Sequence, residues 1–316
     1  MWNATQTVAD AWFGEAPSRV PEGALVPLDG VRDNPGQLKA WSYVPPGLTE
    51  PAALVVVLHG CGQSAALYDR GARWTALARR HGFALLFPEQ SRINNSGLCF
   101  NWFTAGDSQR GMGEPASIRA MIAAMAKEVR IDRSRIFVTG LSAGGAMASV
   151  MLATYPELFA AGAIIAGIPY GCAADLSSAF QCMGGHGGLS DAELVANVRR
   201  ASPHNGSWPR VSVWHGTEDE TVAPNNADAI VRQWTALHGL GVEPDRVERG
   251  GAFLREIWLG EDGRPEVERY AIPGMAHGVP VARRDAPPVD HMLEVGVDST
   301  RRIAGFFGLV GAADKD

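Results

Sequence analysis

Positive charge, cysteine and long apolar runs are all scarce in this sequence, and each shortage removes a class of protein. Lys and Arg number 28 against 34 Asp and Glu, a formal charge of -6. The chain therefore has no electrostatic footprint for nucleic acid or an anionic membrane, and a small or uncharged partner is expected. The longest apolar stretches, Ala52 to Leu58 and Ala160 to Ile168, fall far short of the ~18 to 20 residues that a spanning helix needs. Four cysteines, Cys61, Cys99, Cys172 and Cys182, show neither a CxxC pair nor Cys/His spacing, which excludes an ordinary zinc site. The opening Met1-Trp2-Asn3-Ala4 lacks a basic segment followed by an apolar one. On that basis either the protein stays inside the cell or a leader has been removed. Nothing in the sequence sets an oligomeric state.

What is present is apolar material and glycine. Of 316 residues, 46% are hydrophobic, enough to bury a large core. Glycine contributes 37, well above the usual ~7%, and it concentrates at sharp turns. The runs Ala53–His59, Phe83–Phe87, Arg135–Gly140, Gly162–Ala166 and Val211–His215 read as buried parallel strands. Between them, Glu114 to Arg130 places Ile118, Met121, Ile122, Met125 and Val129 on one helical face. Leu67–His81, Asn226–His238 and Ser299–Leu309 read as further helices, the last with Ile303, Phe306 and Phe307 inward. Parallel strands joined by crossover helices predict an open α/β sheet. The first fifty residues, with Leu38–Val44 as one strand, suggest antiparallel edge strands. No linker or repeat divides the chain, so residues 1–316 are read as one domain with an insertion at about 168–205.

The strongest motif is Gly140-Leu141-Ser142-Ala143-Gly144, a G-x-S-x-G turn between the strand RIFVTG and the helical stretch Gly145–Tyr155. At such a turn a serine hydroxyl stands exposed at a helix N-terminus, where backbone N–H groups favour developing negative charge. A serine is a weak nucleophile without a base, so a downstream histidine is required. His277 follows the strand-like Glu268–Ile272 and is preferred to His291, which no strand positions. The third member should lie beyond VSVWH, where Glu218, Asp219 and Glu220 all stand. Asp219 is chosen; spacing alone leaves the two glutamates open, and Asp175 and Asp191 lie apart in the insertion. For an oxyanion hole the Ala143 amide follows the nucleophile. The loop His59-Gly60-Cys61-Gly62-Gln63 supplies a second, Cys61 N–H with Gly62 as the alternative. His59 is read as holding that loop.

The segments Leu58-His59-Gly60-Cys61-Gly62-Gln63, Cys99-Phe100-Asn101-Trp102-Phe103, Gly140-Leu141-Ser142-Ala143-Gly144-Gly145 and His215-Gly216-Thr217-Glu218-Asp219 together resemble the polyhydroxybutyrate depolymerase family of esterases, in the α/β-hydrolase superfamily. The resemblance runs from about Ala53 to His277. It implies an α/β-hydrolase fold, a mostly parallel sheet with helices on both faces. It also implies Ser142, Asp219 and His277 as triad, the Cys61 and Ala143 amides as hole, no cofactor, and short-chain esters or oligoesters of hydroxy acids as substrates. Trp102 becomes a wall of the substrate site, and a Cys61–Cys99 disulfide would tie the two loops. Cys172 and Cys182 could close a second bridge. With both formed the protein is expected to be extracellular or periplasmic, and otherwise cytoplasmic. Feruloyl and acetylxylan esterases are relatives with the same triad, and a catalytically silent binding protein is the rival from another class. No Thr/Ser-rich linker or additional binding domain follows Leu309, which favours soluble oligomers over crystalline polymer.

Overall fold

A computed structural model of the chain describes residues 25–282 and 288–311. Ten strands form one sheet. In chain order they are β1 (Val26–Pro27), β2 (Lys39–Tyr43), β3 (Ala52–Leu58), β4 (Ala84–Glu89), β5 (Ile131–Leu141), β6 (Ala161–Ile165), β7 (Arg210–Gly216), β8 (Arg246–Gly250), β9 (Phe253–Leu259) and β10 (Pro265–Ile272). The spatial order is β1-β2-β4-β3-β5-β6-β7-β10-β9-β8. The six central strands, β4 to β10 in that order, run parallel, while β1, β2, β9 and β8 add antiparallel edges. A separate pair, β11 (Val279–Val281) and β12 (Met292–Glu294), is parallel. The edge strand expected at Leu38–Val44 is β2; most of the N-terminal segment, residues 1–24, lies outside the described residues.

Strand β3 shows why the sheet is central. All seven of its residues are buried, and alternate side chains enter different apolar clusters: Leu54, Val56 and Leu58 one, Ala53, Val55 and Val57 the other. A period of two sends neighbours to opposite faces, so the sheet is covered on both sides, as parallel sheets require. One cluster is closed by Ile118, Met121 and Met125 of α3 (Gly113–Glu128), Met147 and Met151 of α4 (Ala143–Thr154) and Trp234 of α7 (Asn225–His238). Closing the other are Tyr68 of α1 (Ala65–Ala72), Trp74 of α2 (Trp74–His81) and Ile303 of α8 (Ser299–Phe306), with Phe307 stacked on Phe137 at 4.6 Å.

The segment Leu67–His81, expected as one helix, is two. Arg73 takes φ 61° and its N–H closes α1 on Asp69 O. The Asp69 carboxylate then accepts from Thr75 N (2.8 Å) and Thr75 Oγ1 (2.6 Å) and so caps α2. A short-range aspartate bond of this kind outcompetes helix continuation. The region 168–205 holds α5 (Leu176–Met183) and α6 (Asp191–Ala201), each opened by a capping box, Asp175 with Ser178 and Ser190 with Glu193. Leu194 and Val198 bury the inner face of α6. Among the described residues no helix is long and apolar enough to cross a membrane.

Candidate active site

Every segment singled out by motif lies at the C-terminal ends of the parallel strands, where ligands bind in open α/β sheets. Ser142 occupies the turn from β5 to α4 with φ 55° and ψ -119°, a conformation that L-residues rarely adopt. Its N–H is held by Ile165 O of the neighbouring strand at 2.9 Å, and its carbonyl accepts from Ala146 N at 2.8 Å. The flanking glycines are required by contact. A Cβ on Gly140 would sit 2.3 Å from Gly144 O, and one on Gly144 2.4 Å from Leu58 O and 2.5 Å from His59 O. The elbow is thus pressed against the end of β3, which brings the His59–Gln63 loop beside Ser142.

The loop after β7 carries Asp219 and that after β10 carries His277. Glu218 N donates to Met275 O (3.0 Å) and Gly274 N to Thr217 Oγ1 (2.9 Å), so the two loops are stitched together. Asp219 is buried, whereas Glu218 and Glu220 are exposed. His277 Nδ1 meets Asp219 Oδ2 at 2.7 Å, and Oδ1 accepts from Thr221 N (2.9 Å) and Val222 N (2.8 Å). Burial pushes the Asp219 pKa upward, but hydrogen bonds from His215 and His277 outweigh it and hold the carboxyl well below the usual range. Of the two candidate histidines only His277 reaches that carboxylate. Exposed His291 directs Nδ1 at His277 O (3.4 Å), with the two rings 5.7 Å apart.

Two features were not legible from spacing. His215, the last side chain of β7, directs Nε2 at Val222 O (2.8 Å) and Asp219 Oδ2 (3.3 Å), so it braces the same carboxylate oxygen that His277 contacts. The signal was its position four residues before Asp219 in the quoted motif. The second is the fate of the loop amides. Gly62 N–H is consumed by Gly97 O at 2.9 Å, which removes the alternative to Cys61. Ala143 is the first residue of α4, where no preceding helical turn satisfies its N–H. His59 holds the loop as expected: Gln90 N–H reaches its Nε2 (3.1 Å), so Nδ1 carries the proton and donates to Gly60 O (2.7 Å). Burial lowers its pKa, keeping this neutral tautomer.

Both disulfides are formed, Cys61–Cys99 and Cys172–Cys182. Trp102 is half-buried and packs against a small buried cluster of Ala146, Ile168, Cys182 and Val222. That cluster draws on the elbow helix, the acid loop and the insertion. Cys61–Cys99 spans 38 positions, and loop entropy makes its loss cost up to about 4 kcal/mol. Cys61→Ser with Cys99→Ser should therefore lower the denaturant midpoint and also slow turnover, because the Cys61 amide loses its tether. An unchanged midpoint in urea unfolding would refute this.

An open parallel sheet covered on both faces, with a serine elbow at its centre and an Asp–His pair on the same edge, defines an α/β-hydrolase. The class is that of carboxylic ester hydrolases. More particularly, the chain belongs to the Esterase PHB depolymerase family, whose model matches residues 38–257. It is 43% identical to poly(3-hydroxyalkanoate) depolymerase C of Paucimonas lemoignei, over 91% of this chain and 71% of that one. It is 30% identical to a probable acetylxylan esterase A of Aspergillus flavus, over 82% and 85%. The solved acetyl xylan esterase of Aspergillus awamori superposes with a TM-score of 0.79 at 25% identity, covering 91% of this chain and all of that one.

Proposed function

We propose that this enzyme hydrolyses short-chain esters of hydroxy acids, 3-hydroxybutyrate oligomers or polyester, through an acyl-serine intermediate on Ser142. The observation carrying the mechanism is the 2.7 Å bond between His277 Nδ1 and Asp219. With Nδ1 committed to the acid, Nε2 is left to take the proton from Ser142 as Oγ attacks the ester carbonyl. The amides of Cys61 and Ala143 stabilise the oxyanion, His277 returns the proton to the departing alcohol, and water then cleaves the acyl-enzyme by the same steps in reverse. No cofactor enters any step. Trp102, backed by the buried cluster that contains Val222 and Ile168, forms the apolar wall against which the acyl chain lies.

The choice of hydroxy-acid esters rests on the 43% identity to the depolymerase, against 30% for the acetylxylan esterase. The two disulfides support maturation in an oxidising compartment, outside the cytoplasm. A hydrolysis panel tests the substrate reading: p-nitrophenyl acetate and butyrate, a 3-hydroxybutyrate oligomer, methyl ferulate and acetylated xylan. Preference for the hydroxybutyrate oligomer is expected. Selective turnover of methyl ferulate or acetylated xylan would move the enzyme to the plant-polysaccharide esterases, and inactivity on every ester would favour a binding protein.

A further inference from the structure

We propose that Glu114 is a positioning residue for ester hydrolysis: one buried carboxylate that sets the direction of the Cys61 amide through Gln90 and His59, and the seat of Trp102 through Asn101. The proposal rests on the reading of the Cys61 and Ala143 amides as the oxyanion hole.

Glu114, in the first turn of α3, is fully buried. Its own N–H is held by Asp107 Oδ1 at 3.0 Å. Oε1 accepts from Gln90 Nε2 (2.6 Å), Asn101 Nδ2 (2.8 Å) and Asn94 Nδ2 (3.3 Å), and Oε2 from Asn101 N (2.9 Å). Each of these contacts is a donor, so the position needs two acceptor oxygens and only a carboxylate supplies them. Burial, with repulsion from Asp107, raises the carboxyl pKa, and the hydrogen bonds donated by Asn101 and Gln90 counter that rise and favour the ionised form. An ionisable group is a costly way to fill a core position, and this one joins two loops of the site.

The first arm runs through Gln90. Its side chain is pinned between Glu114 and Cys99 O (2.9 Å), and its backbone N–H holds His59 Nε2. His59 in turn donates from Nδ1 to Gly60 O. The Gly60 carbonyl and the Cys61 N–H belong to one planar trans peptide and point in opposite directions. Fixing the carbonyl therefore aims the amide. The second arm runs through Asn101, whose backbone N–H and side-chain amide both end on Glu114 and whose Oδ1 accepts from Asn95 Nδ2 at 2.8 Å. Trp102 is the next residue.

The arms act on different parameters, and that separates positioning from simple support of the fold. Removing an oxyanion donor costs about 100- to 1000-fold in kcat; misdirecting one should cost about 10- to 100-fold. Glu114→Gln leaves an NH2 facing the Asn101 N–H or the Gln90 amide, so both arms slacken. Expected are a kcat loss of that size on p-nitrophenyl acetate and butyrate, an equal slowing of Ser142 labelling by an organophosphonate ester, and a KM rise larger for butyrate. Gln90→Ala should lower kcat and labelling with KM held, and Asn101→Ala should raise KM with kcat held. Glu114→Asp should recover part of the loss. A folded Glu114→Gln with wild-type kcat and labelling overturns the proposal. So does a loss in which Gln90→Ala and Asn101→Ala move kcat and KM alike, and these two variants decide the matter if Glu114→Gln does not fold. Labelling that survives Ser142→Ala would instead sink the underlying site reading.

Discussion

Replacing Ser142 with alanine is expected to lower kcat by about 10⁵-fold while leaving the thermal midpoint within about 2 °C of wild type. The activity loss follows from chemistry: without Oγ no acyl-enzyme forms, and what remains is water attack assisted by the oxyanion amides. The stability expectation follows from structure. The Ser142 side chain makes no capping bond to α4, so its removal leaves no donor of the helix unpaired by a side chain. The positive φ at this position is set by the backbone bonds to Ile165 and Ala146, which alanine retains. Steady-state kinetics and thermal unfolding of the purified pair check both halves. Wild-type kcat in the variant would remove Ser142 from the mechanism, and a large drop in midpoint would make the lost activity uninformative.

Asp219→Asn should cost about 10⁴-fold in kcat with the fold retained. All four contacts of the carboxylate, His277 Nδ1, His215 Nε2, Thr221 N and Val222 N, come from donors. An asparagine must turn its NH2 toward one side. Toward the backbone amides it would oppose two N–H groups that cannot rotate away, so it faces the histidines. His277 would then accept at Nδ1 and carry its proton on Nε2, the nitrogen that must take the serine proton. The same substitution reports on stability against pH. Because the folded pKa of Asp219 is depressed, its contribution is full above the unfolded value of about 3.9 and is lost as pH falls through the folded one. Wild type should thus lose stability below about pH 4 more steeply than Asp219→Asn, as urea unfolding at stepped pH would read. Parallel curves would show that the carboxylate is not held in the way the geometry requires.

Five of the six parallel strands and the main helices could be read from apolar runs and helical periodicity because those patterns are local. The pair of edge strands β8 and β9 could not: Arg246–Gly250 is largely exposed and carries no apolar signature. The break at Arg73 was hidden for another reason. Residues 67 to 81 keep helical periodicity throughout, and only the Asp69–Thr75 bonds reveal that the chain stops and restarts. The fold of 168–205 was illegible because its helices are short and held by capping boxes and a disulfide more than by a long apolar face.

The sequence by itself determined the candidate site. A serine between obligatory glycines after a buried strand, a glycine-flanked histidine after another, and an acid-rich turn between them mark a candidate nucleophile and its candidate partners, because strand ends and sharp turns are encoded within a few residues. Selection among equals was decided by tertiary structure alone. Asp219 over Glu218 and Glu220, and His277 over His291, depend on which side chains face each other across two loops 58 positions apart. Likewise the Gly62 amide is spent on Gly97, and the links from Glu114 to Gln90 and Asn101, with Gln90 bonded on to Cys99 O, join the end of β4, α3 and the intervening loop. Such pairings are directional contacts between distant segments, and residue spacing carries no information about direction.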